Sequence, residues 1–464
     1  MESPVVVTER PRSSMVHSPT LGPTDDRMCG LASLTPTAAY PPGAVDAHMA
    51  GPAPWGSIMK ILLSAHVCGP ELGSDGRLGW YLPAALADLG HEVHVLTHAD
   101  NQPAVVRAPD PHPTNLHVHF VEPPRLARRA GEASPTLRHR LWQRAAERYA
   151  TELDGAIDVD VVHHLTGTDM LAGSRLWRLA KPFVIGPVRG GDVAPSAFRA
   201  SFATSSRSEA VRRVMRPHVA PLLASVRNPM GAAHLVVATN PASADIVAAA
   251  GARRIVIDAD AAVGDDLVSD LYPARAADDV LNVLWCGRMQ PVYGLSLALD
   301  ALALVRPNCQ IRLRLVGSDR LSAEVEAQVS HAGICHRVDN VGRVGAAELT
   351  KLMFDSDVML ATALRDVTSS RHVLEALATG LPVIGLDHHA VGALLQPAWG
   401  VPVPVEYPRT TAAGIGRALE RMHDEPDTRQ AMGEAAWRNA SRHHTWAARA
   451  LAFDGHYRQI VYGR

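Results

Sequence analysis

Two successive α/β domains, each built on a mostly parallel sheet and facing each other across a cleft, are what this sequence predicts. Three observations carry that prediction. The chain has 464 residues, too many for one hydrophobic core. Its composition, 47% apolar and 20% charged, is ordinary for a globular protein and excludes a wholly disordered or fibrous chain. Short apolar runs alternate with helical stretches in two series, and each series opens with strand, glycine-bearing loop and helix.

Composition also narrows function. The 45 basic and 47 acidic side chains give a net charge of −2, which argues against a nucleic-acid binder. Only Lys60, Lys181 and Lys351 are lysines, the usage of a GC-rich bacterial genome. No run of 18 apolar residues occurs, so no spanning helix is expected. Cys29, Cys68, Cys286, Cys309 and Cys335 have no metal-like spacing and point to reduced thiols in a cytoplasmic enzyme.

Residues 1–58 hold 9 of the 34 prolines and no sustained period. They are expected to be a disordered tail or upstream sequence preceding a true start at Met59, and they lack the apolar stretch of a signal peptide. The first domain spans 59–272. It opens with the apolar run Ile61–Ala65, a loop bearing Gly69, Gly73, Gly76 and Gly79, a helix Trp80–Leu89 and the strand His91–Thr97. Further strands are expected at Leu116–Val121, Val159–His163, Phe183–Ile185, Leu235–Ala238 and Arg254–Ile257. Leu271–Arg275 reads as a linker. The second domain, 276–445, opens with strand Leu281–Cys286, loop Gly287–Gly294 and helix Leu295–Val305. Strands Ile311–Val316, Val338–Val341, Val358–Ala361 and Pro382–Leu386 follow. Helices are expected near Ala412–His423, Thr428–Arg442 and Trp446–Tyr462, the last forming a 446–464 segment placed to return to the first domain. Ligands of such sheets bind at the carboxyl ends of the strands, so the cleft is the expected site.

Four stretches carry chemistry. Gly73-Ser-Asp-Gly76-Arg-Leu-Gly79 suits either backbone approach to an anionic ligand or simple turn formation. In Asp366-Val-Thr368-Ser369-Ser370 followed by Glu375, hydroxyl residues at a helix start offer an oxyanion seat. Glu375, on an apolar helix, must be paired, solvated or used; a ribose diol and a simple backbone cap are the two partners in view. Arg288, just past a strand, could reach a phosphate or lie on the surface. His163-His164 end a strand, but neighbours in a strand face opposite ways and cannot readily share one ion.

His117-Val-His119 could chelate, yet no third ligand stands nearby in sequence, and Asp258-Ala-Asp260 reads as strand-end aspartates. No metal site is therefore expected. Arg125, Arg128, Arg129, Arg138, Arg140, Arg144 and Arg148 cluster with Leu141 and Trp142. That segment suits a solvated helix face, or peripheral contact with an anionic membrane or acceptor.

These pieces stand in a recognisable order. From Lys60 onward the chain resembles the retaining glycosyltransferases of family 4, which have the GT-B fold of two Rossmann-like domains. KILLSAHVCGPELGSDGRLGW looks like that family's opening strand and glycine loop. DVVHHLTGTDMLAGSRLWRLAKPFVIGPVRGGDVAP is similar to a subgroup with a GPVGGGE element. WCGRMQPVYGL resembles its GR-x-x-P-x-KGL element, and LRDVTSSRHVLEALATGLPVIGLDHHAVG its donor-site signature.

The resemblance implies a nucleotide-diphosphate sugar as donor, no cofactor and no obligatory metal. Glu375 would hold the ribose; Arg288, the helix-start amides at Thr368, Ser369 and Ser370, and the Gly76–Gly79 loop would hold the diphosphate. His163 or His164 would face the transferred sugar, and Gly190, Gly191 and Asp192 would line the acceptor side. The acceptor would be a glycan, a lipid-linked sugar or a small natural product, in cell-surface polysaccharide or natural-product glycosylation. Localisation would be cytoplasmic, with or without peripheral contact at the inner membrane face. Three departures stand out. Tyr293 replaces the family lysine, Val367 replaces the first carboxylate of the E-x₇-E pair with Asp366 one place off, and GPVGGGE reads GPVRGGD. Arg365 or Arg371 could supply the missing charge. The departures motivate an alternative, a degenerate subunit without activity of its own; a nucleotide-sugar epimerase is another, against which the acceptor-like 186–195 segment speaks.

Overall fold

The computed structural model describes residues 57–463 apart from 109–112, 124–134, 168, 270, 274, 276–278, 319 and 366–369. Residues 1–56, Arg125, Arg128, Arg129, Asp366, Thr368 and Ser369 lie outside the described residues.

Two parallel sheets form the frame. The first runs in the order β3-β2-β1-β4-β5-β6-β7, from β1 (Lys60–Ala65), β2 (Glu92–His98), β3 (Leu116–Val121), β4 (Val161–Thr166), β5 (Phe183–Val188), β6 (Leu235–Ala238) and β7 (Ile255–Ile257). The second repeats that winding as β10-β9-β8-β11-β12-β13, from β8 (Leu281–Cys286), β9 (Ile311–Val316), β10 (Val338–Gly342), β11 (Val358–Ala361), β12 (Val383–Leu386) and β13 (Gly400–Val403). Central strands such as β1 and β4 are buried along nearly their whole length, which is why they read as unbroken apolar runs.

Helices cover both faces. In the first domain these are α1 (Gly73–Asp88), α2 (Gln102–Val106), α3 (Pro135–Ile157), α4 (Ser206–Val214), α5 (Ala224–Ala232) and α6 (Pro241–Ala249). In the second they are α7 (Leu295–Leu304), α8 (Ala323–His331), α9 (Ala346–Phe354), α10 (Arg371–Ala378), α11 (His389–Leu394), α12 (Pro408–Asp424) and α13 (Pro426–His443). Local chemistry fixes several starts. Asn240 caps α6 by accepting from the Ser243 N–H, with Pro241 at the first helical position. Thr445 caps α14 (Trp446–Tyr462) by accepting from the Ala448 N–H.

Helix α14 leaves the second domain and packs on the first. Trp446, Ala450, Phe453 and Tyr457 share a core with Leu78, Leu82 and Leu86 of α1. The Tyr457 hydroxyl lies 2.6 Å from His163 Nδ1. Arg449, 2% exposed, donates to the carbonyls of Ala259 and Ala261 and pairs with Asp258 at 2.9 Å. The linker is anchored too: Arg275 donates to the carbonyls of Ser356, Met353, Thr379 and Gly380.

One sequence expectation needs correction. The glycine stretch is not a loop, because α1 begins at Gly73. Gly76 and Gly79 lie inside the helix, pressed against the preceding segment. A Cβ on Gly79 would fall 2.3 Å from the Val67 carbonyl oxygen, and one on Gly76 2.5 Å from Leu72 Cβ. Close packing of helix on loop therefore accounts for both residues.

Arg449→Ala is expected to destabilise the protein by about 3 kcal/mol, since it strands two buried carbonyls and the Asp258 carboxylate. Tyr457→Phe should cost about 1 kcal/mol. Denaturant titration reads both; equal midpoints for wild type and Arg449→Ala would show that α14 does not hold the domains.

Candidate functional site

The carboxyl ends of β8 and β11 meet the start of α10 in a pocket lined by Trp285, Cys286, Tyr293, Thr362, Arg365 and Ser370, among others. Parallel strands and helix α10 place these groups together, because each strand ends where the next helix begins. Glu375 sits in the second turn of α10, buried, and its Oε1 accepts from Arg371 Nε at 2.6 Å. Burial and the nearby Glu375 charge push the Cys286 thiol up to about 12, so it stays protonated. His372, beside the same carboxylate, is pushed down by burial.

The start of α10 already holds an anion. The Ser370 N–H donates to Asp260 Oδ1 at 3.1 Å, a carboxylate at the positive end of the helix. Arg189 links that aspartate to Asp75 of α1: its Nη1 lies 3.4 Å from Asp260 Oδ2, and its Nη2 contacts both Asp75 oxygens at 2.6 and 2.7 Å. Sequence reasoning missed Arg189 and read Asp260 only as a strand-end aspartate. The one available signal was the arginine in GPVRGGD where the resembling subgroup has glycine.

Arg288 stands two residues beyond β8, exposed, and among the described residues its side chain makes no hydrogen bond or ion pair. Tyr293 is buried against Trp285 and Gly287 in the pocket wall. Arg365 and Arg371 both lie nearby, but Arg371 is engaged by Glu375 and Arg365 pairs at 3.3 Å with Glu209 of the first domain.

Gly190 and Gly191 make close backbone approaches. A Cβ on Gly190 (φ +102) would lie 2.5 Å from Arg216 Nη1, and the Gly191 N–H donates to Ser243 Oγ. Asp192 is buried; desolvation lifts its carboxyl above the usual range against the opposing pull of Arg212 and Arg365. The following residues cross the cleft: Ala194, Phe198 and Phe202 join the hydrophobic cluster containing Val292 and Tyr293. His389 meets this segment, its Nε2 lying 3.2 Å from the Val193 carbonyl while its backbone holds φ +53. A non-glycine residue in that region is strained.

The two strand-end histidines separate. His163 is fully buried, with Nδ1 on Tyr457 and Nε2 on the Gly186 carbonyl. His164 points to the other face, toward His139 and His66, and neither of its ring nitrogens makes a hydrogen bond of full geometry among the described residues.

Residues 281–421 match the model of the family described as glycosyl transferases group 1. Over that segment the chain is similar to this family. It is 27% identical over 397 residues to a D-inositol 3-phosphate glycosyltransferase of Pseudarthrobacter chlorophenolicus, covering 81% of this chain and 89% of that protein. Sucrose-phosphate synthase from Thermosynechococcus elongatus superposes with a TM-score of 0.59 at 18% identity, over 88% of this chain and 100% of its own. Anabaena HepE, solved with UDP and glucose, gives 0.53 at 17%, over 86% and 99%. The two sheets and their helices therefore form a GT-B fold.

Burial holds the histidines around this cleft neutral: His66 is pushed down to about 2, His164 and His389 to about 3, and His139, His163 and His388 to about 4, from 6.5. Between pH 6.5 and those values the unfolded chain binds protons that the folded chain refuses. Their stabilisation is thus complete above pH 6.5 and falls as pH drops, by about 1.4 kcal/mol per pH unit for each histidine. The melting temperature is expected to fall steeply from pH 6.5 to 5. A flat profile would mean that these rings are hydrated.

Proposed function

We propose that this glycosyltransferase moves a sugar from a nucleotide-diphosphate sugar to an acceptor hydroxyl with retention of configuration, needing neither metal nor cofactor. The observation that carries this reading is the buried Glu375 carboxylate one turn inside a helix whose start already accepts an anion, with Arg288 exposed two residues beyond β8. A carboxylate accepts two hydrogen bonds and so suits a ribose diol. The relative acting on D-inositol 3-phosphate and the HepE structure holding UDP and glucose support a nucleotide-sugar donor.

Binding then proceeds by exchange of partners. The ribose hydroxyls donate to Glu375 in place of Arg371, whose guanidinium is freed toward the diphosphate. A phosphate oxygen takes the place of Asp260 at the Ser370 N–H. Arg288 and Arg371 together supply the positive charge that Tyr293 does not. As the sugar departs, negative charge grows on the leaving diphosphate, and stabilising it matters more than a protein nucleophile. The acceptor attacks from the same face, lined by Gly190, Gly191 and Asp192. Of the two strand-end histidines, His164 is the one facing the sugar, since both ring nitrogens of His163 are engaged. Gly76 and Gly79 have no part in binding. The engaged state of Glu375 and of the α10 start also suits the second reading, a subunit without activity of its own.

Glu375→Gln should keep the fold and weaken nucleotide diphosphate binding by about 1.5–3 kcal/mol, roughly 10- to 150-fold. Arg288→Ala should lower kcat as well as affinity. Calorimetry and product mass spectrometry check both, and a wild-type protein that no nucleotide diphosphate stabilises would favour the inactive subunit. A chelator should leave the initial transfer rate unchanged; inactivation reversed by manganese would make Asp258 and Asp260 metal ligands instead.

A further inference from the structure

The strands β2 and β3 place side by side what the sequence keeps apart. Their register pairs His94 with His117, and alternation puts Glu92, His94, His117 and His119 on one face of the sheet. A ligand atom from each of Glu92, His94 and His117 lies within 4.8 Å of the others. His94 Nε2 is 3.0 Å from Glu92 Oε1, and the His94 ring stacks on His117 with centroids 4.7 Å apart. The other nitrogen of His94 is 3.0 Å from His119 Nε2, and His119 Nδ1 is 3.0 Å from the Tyr149 hydroxyl of α3.

We propose that Glu92, His94 and His117 form a binding site for a divalent transition metal of the zinc class, separate from the transfer site. Two imidazoles and a carboxylate are a fitting donor set for such an ion, with water completing a tetrahedron. Ligand distances of about 2.0–2.2 Å require only that the exposed His117 ring and the half-buried Glu92 carboxylate turn toward His94. His119 and Tyr149 supply the outer shell that orients a ligating histidine. Without metal, the Tyr149 O–H donates to His119, His119 Nε2–H to His94 Nδ1, and His94 Nε2–H to Glu92. With metal on His94 Nε2 the relay reverses: His94 Nδ1–H donates to His119 Nε2, His119 Nδ1–H to Tyr149, and the Tyr149 O–H to water. Each group keeps its proton count, so the ion enters without expelling a proton from the relay.

Glu92 and His117 stand at the amino ends of their strands, opposite the carboxyl ends that form the cleft. The ion would therefore clamp β3, the edge strand of the first sheet, to β2 and take no part in transfer. The other grouping of donors, Cys309, His423 and Asp424, has its aspartate committed to Arg306 and His423.

The test is titration of Zn²⁺ and Co²⁺ into the full-length protein after chelator treatment and desalting, read by calorimetry and by the visible cobalt spectrum. One site tighter than about 10 μM is expected, with the cobalt bands of a tetrahedral nitrogen and oxygen site. His117→Ala and Glu92→Gln should each weaken it at least tenfold, and Tyr149→Phe about 10-fold or more through the outer shell. His117 is exposed, so its variant should melt as the wild type does without metal and lose the zinc-induced rise in melting temperature. Binding weaker than about 100 μM, binding unchanged in His117→Ala, or binding lost only in Cys309→Ser overturns the proposal.

Discussion

Four residues, Asp258 to Ala261, carry the contacts that fix how the two domains meet. They leave the last strand of the first sheet, and three separate elements grip them. Arg449 of α14 takes Asp258 and the carbonyls of Ala259 and Ala261. Arg189 reaches Asp260 from the end of β5, and the start of α10 donates to the same carboxylate. A buried guanidinium is costly unless it is paired. Both Nη groups of Arg449 find their partners on this segment, while its Nε makes no hydrogen bond among the described residues. Arg449 is therefore accommodated where the segment keeps its path. The orientation of the cleft follows from that requirement.

The same contacts set the state of the pocket at the α10 start. Its positive helix end and its buried carboxylate are both matched internally, by Asp260 and by Arg371. Neither charge is left bare in a low-dielectric wall, and a ligand with one diol and one diphosphate can replace both partners at once. Asp75 and Arg189 remain paired throughout such an exchange, which keeps the first domain in reach.

The fold was legible because buried parallel strands are short apolar runs and their helices are amphipathic; β3, β6 and α14 fall where the pattern put them. The glycines of α1 misled because glycine spacing says nothing about whether the space it opens is filled by ligand or by backbone, here the Val67 carbonyl. Ser370 and Tyr293 line the pocket, where strand ends in the local chain already placed them. Arg189 with Asp75, and Arg365 with Glu209, were not, because those pairs join segments more than a hundred residues apart and depend on how whole domains pack. The partner of His163 was out of reach for the same reason: Tyr457 lies on a helix from beyond the second domain.

The return of α14 also has a consequence for biosynthesis. The first sheet is complete at Ile257, but the helix that covers Leu78, Leu82 and Leu86 starts at Trp446. At roughly 5–20 residues per second, the ribosome needs about 10–40 s to make what lies between. For that interval the first domain is a nascent chain with one apolar flank open, while the second domain folds downstream of it. A trigger-type chaperone binding that flank would be displaced only when α14 emerges, so the order of translation makes the second domain's folding precede the closure of the first.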